Sequence, residues 1–384
     1  MIYMDYMATT PMDPLVLSEL ISCTTRDTCF ANAASTHWYG EQANQRIDSA
    51  VRTVAAALNC DESALVWTSG ATESNNLAII GAAHYYGRQK KHLITVETEH
   101  KAVLDPCIRL AKSGYKLTVL PVEKTGLIDL AVIEAALHTD TLLVSVMAVN
   151  NEIGVIQPIA DIAKIVHAKG ALLHVDAVQA VGKIPVSIRD WDADLVSFSA
   201  HKIYGPKGIG LLYVRQEPKV RLQQRIYGGS QQGLRAGTLP VQQIVAMAKA
   251  IELSVQQLEA ENKRIKQLRD QLWNGLQAID DIEMNGDFIQ RVPHNLNITI
   301  KGVNGDAMRT ALYSDIAVSS GSACNAVTLK PSHVLIALGR SAELADASLR
   351  ISLGKYSTEE EVEQAVEIFQ QKINWLRNVY EILT

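Results

Sequence analysis

Hydrophobic and polar positions alternate in blocks along residues 60–215. Short runs rich in Val, Ile and Leu predict strands at 65–68, 92–96, 116–121, 141–147, 171–175, 194–199 and 210–214. Stretches with helical periodicity lie between them, at 73–86, 102–113, 130–137 and 159–169. Strands that alternate with helices are typical of an α/β domain with a mostly parallel sheet, here of seven strands.

The pattern changes from residue 240 onward. Residues 240–278 form a long, charged stretch of helical period, which is followed by strand candidates at 295–300 and 348–352 and an amphipathic helix from Thr358. These elements predict a second, smaller α+β domain. We therefore predict a large α/β domain over 15–250 and a small domain that combines 1–14 with 251–384.

Composition and charge exclude several classes of protein. The chain has 384 residues, 47% of them hydrophobic, and 36 basic against 41 acidic residues leave a net charge of −5. This balance provides no broad basic surface for nucleic acid. No apolar run of about 18 residues predicts a membrane span, and the N-terminus does not resemble a signal peptide. We expect a cytoplasmic protein that binds neither membrane nor nucleic acid directly.

Five scattered cysteines argue against a disulfide framework or a metal site. They are Cys23, Cys29, Cys60, Cys107 and Cys324. Their number is odd and none forms a CxxC pair. Cys23 and Cys29 lack the neighbouring His–Cys set of a zinc site. We expect no metal in the isolated protein, and we interpret the first four cysteines as inert, since they lie in apolar or helical contexts.

Two polar residues follow predicted strands and suggest a cofactor site. Lys202 comes after the strand that ends in Ser199, and a desolvated lysine there can form a Schiff base with an aldehyde cofactor. Asp176 follows another strand about 26 residues earlier, where it can pair with a protonated ring nitrogen. The alternatives are a surface lysine and a helix N-cap.

Two strand-to-helix junctions carry groups suited to a phosphate and a planar ring. Residues 68–75 place Gly and hydroxyl residues at the predicted start of a helix. The N–H groups of such a start either bind a phosphate or are capped by a nearby side chain. Residues 96–101 end in His100 and Lys101, and the imidazole can stack on a ring and move protons, or cap the helix.

Cys324 differs from the other cysteines in its surroundings. It follows a run of Ser, Gly and Ala in the segment 319–331, which lacks strong periodicity and predicts a loop. A loop thiol can reach a substrate and withdraw again. The alternative is a small buried hydrophobic residue.

Taken in order, these pieces closely resemble the IscS/NifS-type cysteine desulfurases, which are fold-type I enzymes that depend on pyridoxal 5′-phosphate (PLP). The matching stretches span nearly the whole chain and include TSGATESNN, TEHKAVLD, VNNEIGVIQPI, HVDAVQAVGK, SFSAHKIYGPKGIG, LRAGTLP, SSGSAC and PSHVL. Each stretch is moderately specific, and the ordered set is very specific.

The resemblance implies a role for each site residue. Lys202 would bind PLP covalently, Asp176 would pair with the ring nitrogen, Gln179 would contact the ring hydroxyl, and His100 would stack on the ring. The phosphate would be held by Ala71, Thr72, Ser199, His201 and, from the other subunit of a homodimer, Thr238. Asn151 and Arg350 would orient L-cysteine, with the guanidinium on its carboxylate.

The resemblance also implies the reaction and its partners. Cys324 would attack the substrate sulfur as a thiolate, keep it as a persulfide, and release alanine. His100 and the substrate amine are both candidates for the base that activates this thiol. The persulfide would pass to an iron–sulfur scaffold or to a tRNA- or DNA-thiolation protein, and Cys324 would transiently ligate a cluster with a scaffold partner.

The chain departs from the family pattern at three places. Residues 228–235 are shorter than the usual run and lack its acidic residue, Met7 replaces a smaller residue, and the chain ends with its last helical pattern. Two alternatives stay open on sequence grounds. One is a related PLP enzyme such as a selenocysteine lyase or an aminotransferase, and the other is a non-catalytic sulfur-relay scaffold.

Overall fold

The main sheet has seven strands, whose order across the sheet is 65–68, 210–214, 195–199, 172–176, 141–147, 92–96 and 116–120. The structure is a computed structural model and describes residues 1–229, 231–320 and 331–383, with side chains to residue 379. The strands of this sheet are β2 (Leu65–Thr68), β3 (His92–Val96), β4 (Lys116–Leu120), β5 (Thr141–Met147), β6 (Leu172–Asp176), β7 (Leu195–Ser199) and β8 (Gly210–Val214). The five from β4 to β7 pair in parallel, and β8 is antiparallel to both β7 and β2.

Helices cover the sheet, because its central strands are apolar on both faces. Almost every residue of β5, β6 and β7 is buried, as expected for parallel strands in the middle of a sheet. The helices of this part of the chain are α1 (Pro14–Ile21), α2 (Trp38–Leu58), α3 (Ala71–Tyr86), α4 (Lys101–Ala111), α5 (Leu130–Ala136), α6 (Ile159–Ala168), α7 (Ile188–Trp191) and α8 (Val241–Gln256).

A second, three-stranded sheet lies in the C-terminal part. Its order is β12-β10-β9 and both pairs are antiparallel, the strands being β9 (Ile282–Met284), β10 (Asn295–Ile300) and β12 (Ser348–Ser352). The N-terminal β1 (Ile2–Tyr3) pairs in parallel with β11 (Ile316–Ala317). The helices here are α9 (Leu258–Leu276), α10 (Gly305–Leu312), α11 (His333–Ala337), α12 (Ala342–Asp346) and α13 (Glu359–Leu383).

The buried side chains form separate cores on the two sheets. Ile2 and Met4 of the N-terminus share a core with Ile265, Leu296 and the C-terminal helix. Val16 belongs to the core of the seven-stranded sheet. These contacts support the predicted division of the chain near residues 14 and 250, which stays a prediction.

The predicted fold class is confirmed, including the seven-stranded, mostly parallel sheet. Two strands from the second part of the chain, at 295–300 and 348–352, also have the predicted bounds. Among the residues that the structure describes, no helix combines the length and apolar character needed to cross a membrane.

Candidate functional site

One cavity of about 520 Å³ brings together most of the predicted site residues. It lies at the carboxyl ends of β6 and β7, where α/β sheets bind their ligands. The predicted residues that line it are Ala71, Thr72, His100, Asn151, Asp176, Gln179, Ser199, His201, Lys202 and Arg350. Its volume is within the range of small-molecule sites, about 300–1,000 Å³.

Lys202 reaches the cavity from a short helical turn directly after β7. Its Nζ donates hydrogen bonds to the main-chain oxygens of Met7 at 2.8 Å and Ala8 at 2.6 Å. The amide of Gln179 donates to the same Met7 oxygen at 2.9 Å. The N-terminal segment therefore positions the ε-amino group at the cavity wall.

Asp176 ends β6 and is held there by two donors. The amide of Asn75 donates to its Oδ2 at 2.8 Å, and the main-chain N–H of Val178 donates to its Oδ1 at 3.1 Å. The register of β6 and β7 sets Asp176 opposite Ser197, so the carboxylate lies close to the turn that carries Lys202. A fixed carboxylate in this place can hold a proton on a ring nitrogen.

The first turn of α3 forms another wall of the cavity. Its N-cap, Gly70, has φ +152° and no side chain caps the helix, so main-chain N–H groups at Ala71 and Thr72 line the cavity uncapped. A Cβ on Gly210 of the neighbouring strand would lie 2.6 Å from the backbone of Gly70. Glycine is therefore required where the helix start meets β8, and the arrangement suits a phosphate.

His201 lines the same region in an uncharged form. Burial, with the charges of Lys202, Lys207 and Lys183, lowers the pKa of His201 to about 4. Its Nδ1 lies 3.2 Å from the hydroxyl of Thr9. At neutral pH the ring is thus uncharged and acts through hydrogen bonds, while the neighbouring lysines carry the positive charge.

His100 is the N-cap of α4. Its Nδ1 accepts a hydrogen bond from the main-chain N–H of Ala102 at 3.0 Å. The proton of the neutral ring then lies on Nε2. The capping interpretation and the catalytic one are therefore compatible, because capping fixes the ring and its tautomer at the cavity wall.

Arg350 is the most deeply enclosed cation of the site, with a side chain 2% exposed. It lies on β12, and its Nη2 contacts Asp5 Oδ1 at 2.7 Å and the hydroxyl of Ser319 at 3.0 Å. Its Nη1 donates to the main-chain oxygen of Asn151 at 2.8 Å. Its Nε is buried and has no hydrogen-bond partner among the described residues. This N–H is a donor suited to the carboxylate of an incoming substrate.

The two remaining predicted site residues are Thr238 and Cys324. Thr238 is exposed, and the residues that line the cavity do not include it. Cys324 lies outside the described residues. The serines described on either side of its segment bond to groups beside the cavity, since Ser319 contacts Arg350 and Ser332 donates to Glu152, next to Asn151.

The sequence did not reveal several residues of the site. Met7 and Ala8 act through main-chain oxygens, which leave no signature in the side-chain pattern. Asn75 supports Asp176, and its place in the TESNN stretch, one turn after the helix start, was the available signal. Glu99 is fully buried behind the cavity, and this burial raises the pKa of its carboxyl well above the ordinary value.

The residues present fit PLP. Gln179 Oε1 is buried and has no partner among the described residues, as expected for a group that awaits a hydroxyl. The uncapped start of α3 suits the phosphate, Asp176 suits the ring nitrogen, and Lys202 suits the aldehyde. These four features surround one cavity.

The comparisons with known proteins agree with this geometry. Residues 2–365 match the family model of class-V aminotransferases. The cysteine desulfurases IscS of Pectobacterium atrosepticum and Aeromonas hydrophila are 48% and 50% identical over 380 residues, which is 98% of this chain and 94% of each relative.

Solved structures show the same similarity. A NifS-like protein superposes with a TM-score of 0.91 at 36% identity, covering 98% of this chain and all of the other. A structure described as SspA in complex with cysteine has a TM-score of 0.83 at 35% identity, covering 93% of this chain and all of the other.

Proposed function

The chain belongs to the class-V aminotransferase family and is a PLP-dependent cysteine desulfurase, and on that premise we propose which residues act, how the subunits assemble and which kind of protein accepts the sulfur. The single observation that supports these roles best is the shared cavity of Lys202, Asp176, His100 and Arg350. When bound, PLP supplies an electron-withdrawing ring that weakens the bonds at the α-carbon of the amino acid.

The cofactor would be held at four points. Lys202 would bind it covalently, Asp176 would keep a proton on the ring nitrogen, and Gln179 would contact the ring hydroxyl through its unpartnered oxygen. The phosphate would lie against Ala71, Thr72, Ser199 and His201. Asn75 keeps the carboxylate of Asp176 in place for this role.

The substrate would be oriented by Arg350 and Asn151. The buried guanidinium is already fixed by Asp5 and Ser319, so little orientational freedom is lost when it binds the carboxylate of L-cysteine. His100, with its proton on Nε2, would move protons at the cavity wall.

Cys324 would take the sulfur. Its thiolate attacks the sulfur of the substrate, an S–S bond forms, and the substrate C–S bond breaks. The electron pair of that bond goes to the β-carbon, which takes a proton, so that alanine leaves and Cys324 carries a persulfide. A catalytic thiol of this kind has to stay reduced, which supports a cytoplasmic location. The attachment of Ser319 and Ser332 beside the cavity supports the reach of this segment to the substrate.

A cysteine variant tests this step. We expect Cys324→Ser to retain PLP and to change its absorption on addition of L-cysteine, but to release no sulfide and to form no protein persulfide. Cys60→Ser is the matched control and should behave as the wild type. Sulfide release by Cys324→Ser at the wild-type rate would refute the role of this cysteine.

The protein would act as a homodimer, with Thr238 of one subunit contacting the phosphate bound by the other. The exposure of Thr238 in the single chain supports this role. Mixed dimers of Lys202→Ala and Thr238→Ala chains are the test, since each mixed dimer would contain one site with neither defect. Activity that does not recover on mixing would contradict the shared site.

The acceptor would be a protein, either an iron–sulfur scaffold or a thiolation protein. The relatives named IscS support the scaffold. Radioactive sulfur from labelled L-cysteine should move from Cys324 to a purified scaffold protein, and transfer to a thiolation protein alone would favour the second acceptor.

A further inference from the structure

Two cysteine sulfurs outside the catalytic site lie unusually close together. The Sγ atoms of Cys23 and Cys29 are 2.8 Å apart. Non-bonded carbon atoms rest at about 3.5–4.0 Å, and sulfur is larger than carbon. A disulfide bond is about 2.05 Å long. The pair is therefore closer than a simple packing contact and is within about 1 Å of a covalent bond.

The turn between α1 and α2 holds both sulfurs on the same side. Cys23 follows the C-cap of α1 and Cys29 ends the turn, which is closed by hydrogen bonds between Thr25 and Thr28. Cys29 Sγ also contacts the main-chain oxygen of Ser22 at 3.5 Å. Closing the bond would bring the two sulfurs together by less than about 1 Å.

The two thiols differ in access to solvent. Cys23 is 2% exposed and belongs to the core of the large sheet, whereas Cys29 is partly exposed. The charge of Arg46 from α2 acts on both thiols, and Arg46 pairs with Glu19 from α1 at 2.6 Å. A small oxidant from solvent would thus reach Cys29 before Cys23.

We propose that Cys23 and Cys29 form a redox-modification site, which hydrogen peroxide converts into an intramolecular disulfide and a thiol reductant restores. The sequence alone favoured inert cysteines, because it does not show that the two sulfurs meet. A reversible disulfide of this kind is compatible with a reducing compartment.

The reaction proceeds in two steps. Cys29 attacks one oxygen of peroxide, an S–O bond forms, the O–O bond breaks, and the released hydroxide leaves as water with the Cys29 proton. Cys23 then attacks Cys29 Sγ, the S–S bond forms, the S–O bond breaks, and a second water leaves with the Cys23 proton. The two sulfurs lose two electrons, which the peroxide gains.

The environment makes this oxidation slow and its product stable. Burial, with the hydrogen bond and charge of Cys23, raises the pKa of Cys29 to about 11. The attacking thiolate is therefore scarce at neutral pH. The reduced pair also lacks the thiolate stabilisation that makes a disulfide strongly oxidising. The rate should rise about tenfold for each pH unit between 7 and 9, since the thiolate fraction does.

Trypsin provides a direct test, because Arg26 lies between the two cysteines. Cleavage gives peptides 1–26 and 27–46, each with a single cysteine. The PLP-loaded enzyme is treated with hydrogen peroxide, alkylated with iodoacetamide and digested without reductant. We expect the two peptides to be joined, two hydrogen atoms lighter than their sum, and to separate after dithiothreitol.

Three variants complete the experiment. Cys29→Ser, which changes the partly exposed member, should abolish the joined peptide. Cys60→Ser should leave it unchanged. In Cys23→Ser, Cys29 should advance to the sulfinic acid because no second thiol traps it. Separately alkylated peptides after peroxide, a bond to Cys60 or Cys107, or a bond between two chains would overturn the proposal.

Discussion

Replacement of Asn75 by alanine tests how the carboxylate of Asp176 is held. Asn75 is fully buried on α3, and its amide donates to Asp176 Oδ2 at 2.8 Å. The other carboxylate oxygen accepts the Val178 N–H at the longer distance of 3.1 Å. Asn75→Ala removes the shorter of these two hydrogen bonds, so that the Val178 N–H alone holds the carboxylate in the position proposed for pairing with the ring nitrogen.

The size of the effect follows from the charge of the acceptor. A hydrogen bond to a charged group contributes about 1.5–3 kcal/mol. If the whole loss falls on the transition state, kcat/KM for L-cysteine decreases by about 10- to 150-fold. If part of it falls on cofactor binding, PLP dissociates more readily, and added PLP restores part of the rate.

Asn76→Ala is the matched control, since it changes the next residue of the same helix. Asn76 is partly exposed and its amide bonds to the oxygen of Thr72 within α3. Alanine release and the visible absorption of bound PLP are measured for both variants with saturating cofactor. Equal turnover and equal cofactor retention in Asn75→Ala and Asn76→Ala would refute the supporting role of Asn75.

Two further predictions concern buried ionisable groups. Asp5→Asn should lower the free energy of unfolding, measured in urea, by about 3 kcal/mol, because it leaves the charge of Arg350 uncompensated. Asp315→Asn, which breaks a partly exposed pair with Lys372, should cost less than about 1 kcal/mol. Burial lowers the pKa of His174 to about 3, so its contribution to stability is complete above pH 6.5 and is lost as the pH falls towards 3. From pH 7 to pH 5 the wild type should lose about 2 kcal/mol more than His174→Gln, and equal losses would contradict a neutral buried ring.

The strands of the large sheet could be predicted because they are nearly continuous apolar runs between polar turns. The residues at 141–147 are all buried, and an apolar run of this kind is stable mainly as a central strand that is covered on both faces. The same pattern predicted where the strands end, which led to Asp176 and Lys202. Their proximity then depends on the parallel pairing of β6 with β7, which brings residues 176 and 197 opposite each other.

The structure of the first 60 residues could not be predicted from the sequence in the same way. Helix α2 has seven buried residues among 21, and several of them are small, such as Ala43 and Ala50. Strand β1 has only two residues. The main-chain oxygens of Met7 and Ala8, which accept from Lys202, depend on tertiary packing. No side-chain pattern encodes that packing.

The charges around the cavity explain why an acidic protein can bind two anionic groups. The charged side chains that line it are positive at Lys202, Lys207 and Arg350 and negative at Asp176 and Glu73. Glu73 is paired with Arg235 at 2.9 Å and Arg350 with Asp5 at 2.7 Å, while burial raises the pKa of Glu99 well above its ordinary value. The cavity is therefore positive although the whole chain carries −5. A phosphate and an amino-acid carboxylate both gain from this local excess, and a partly desolvated cavity strengthens it relative to the surface.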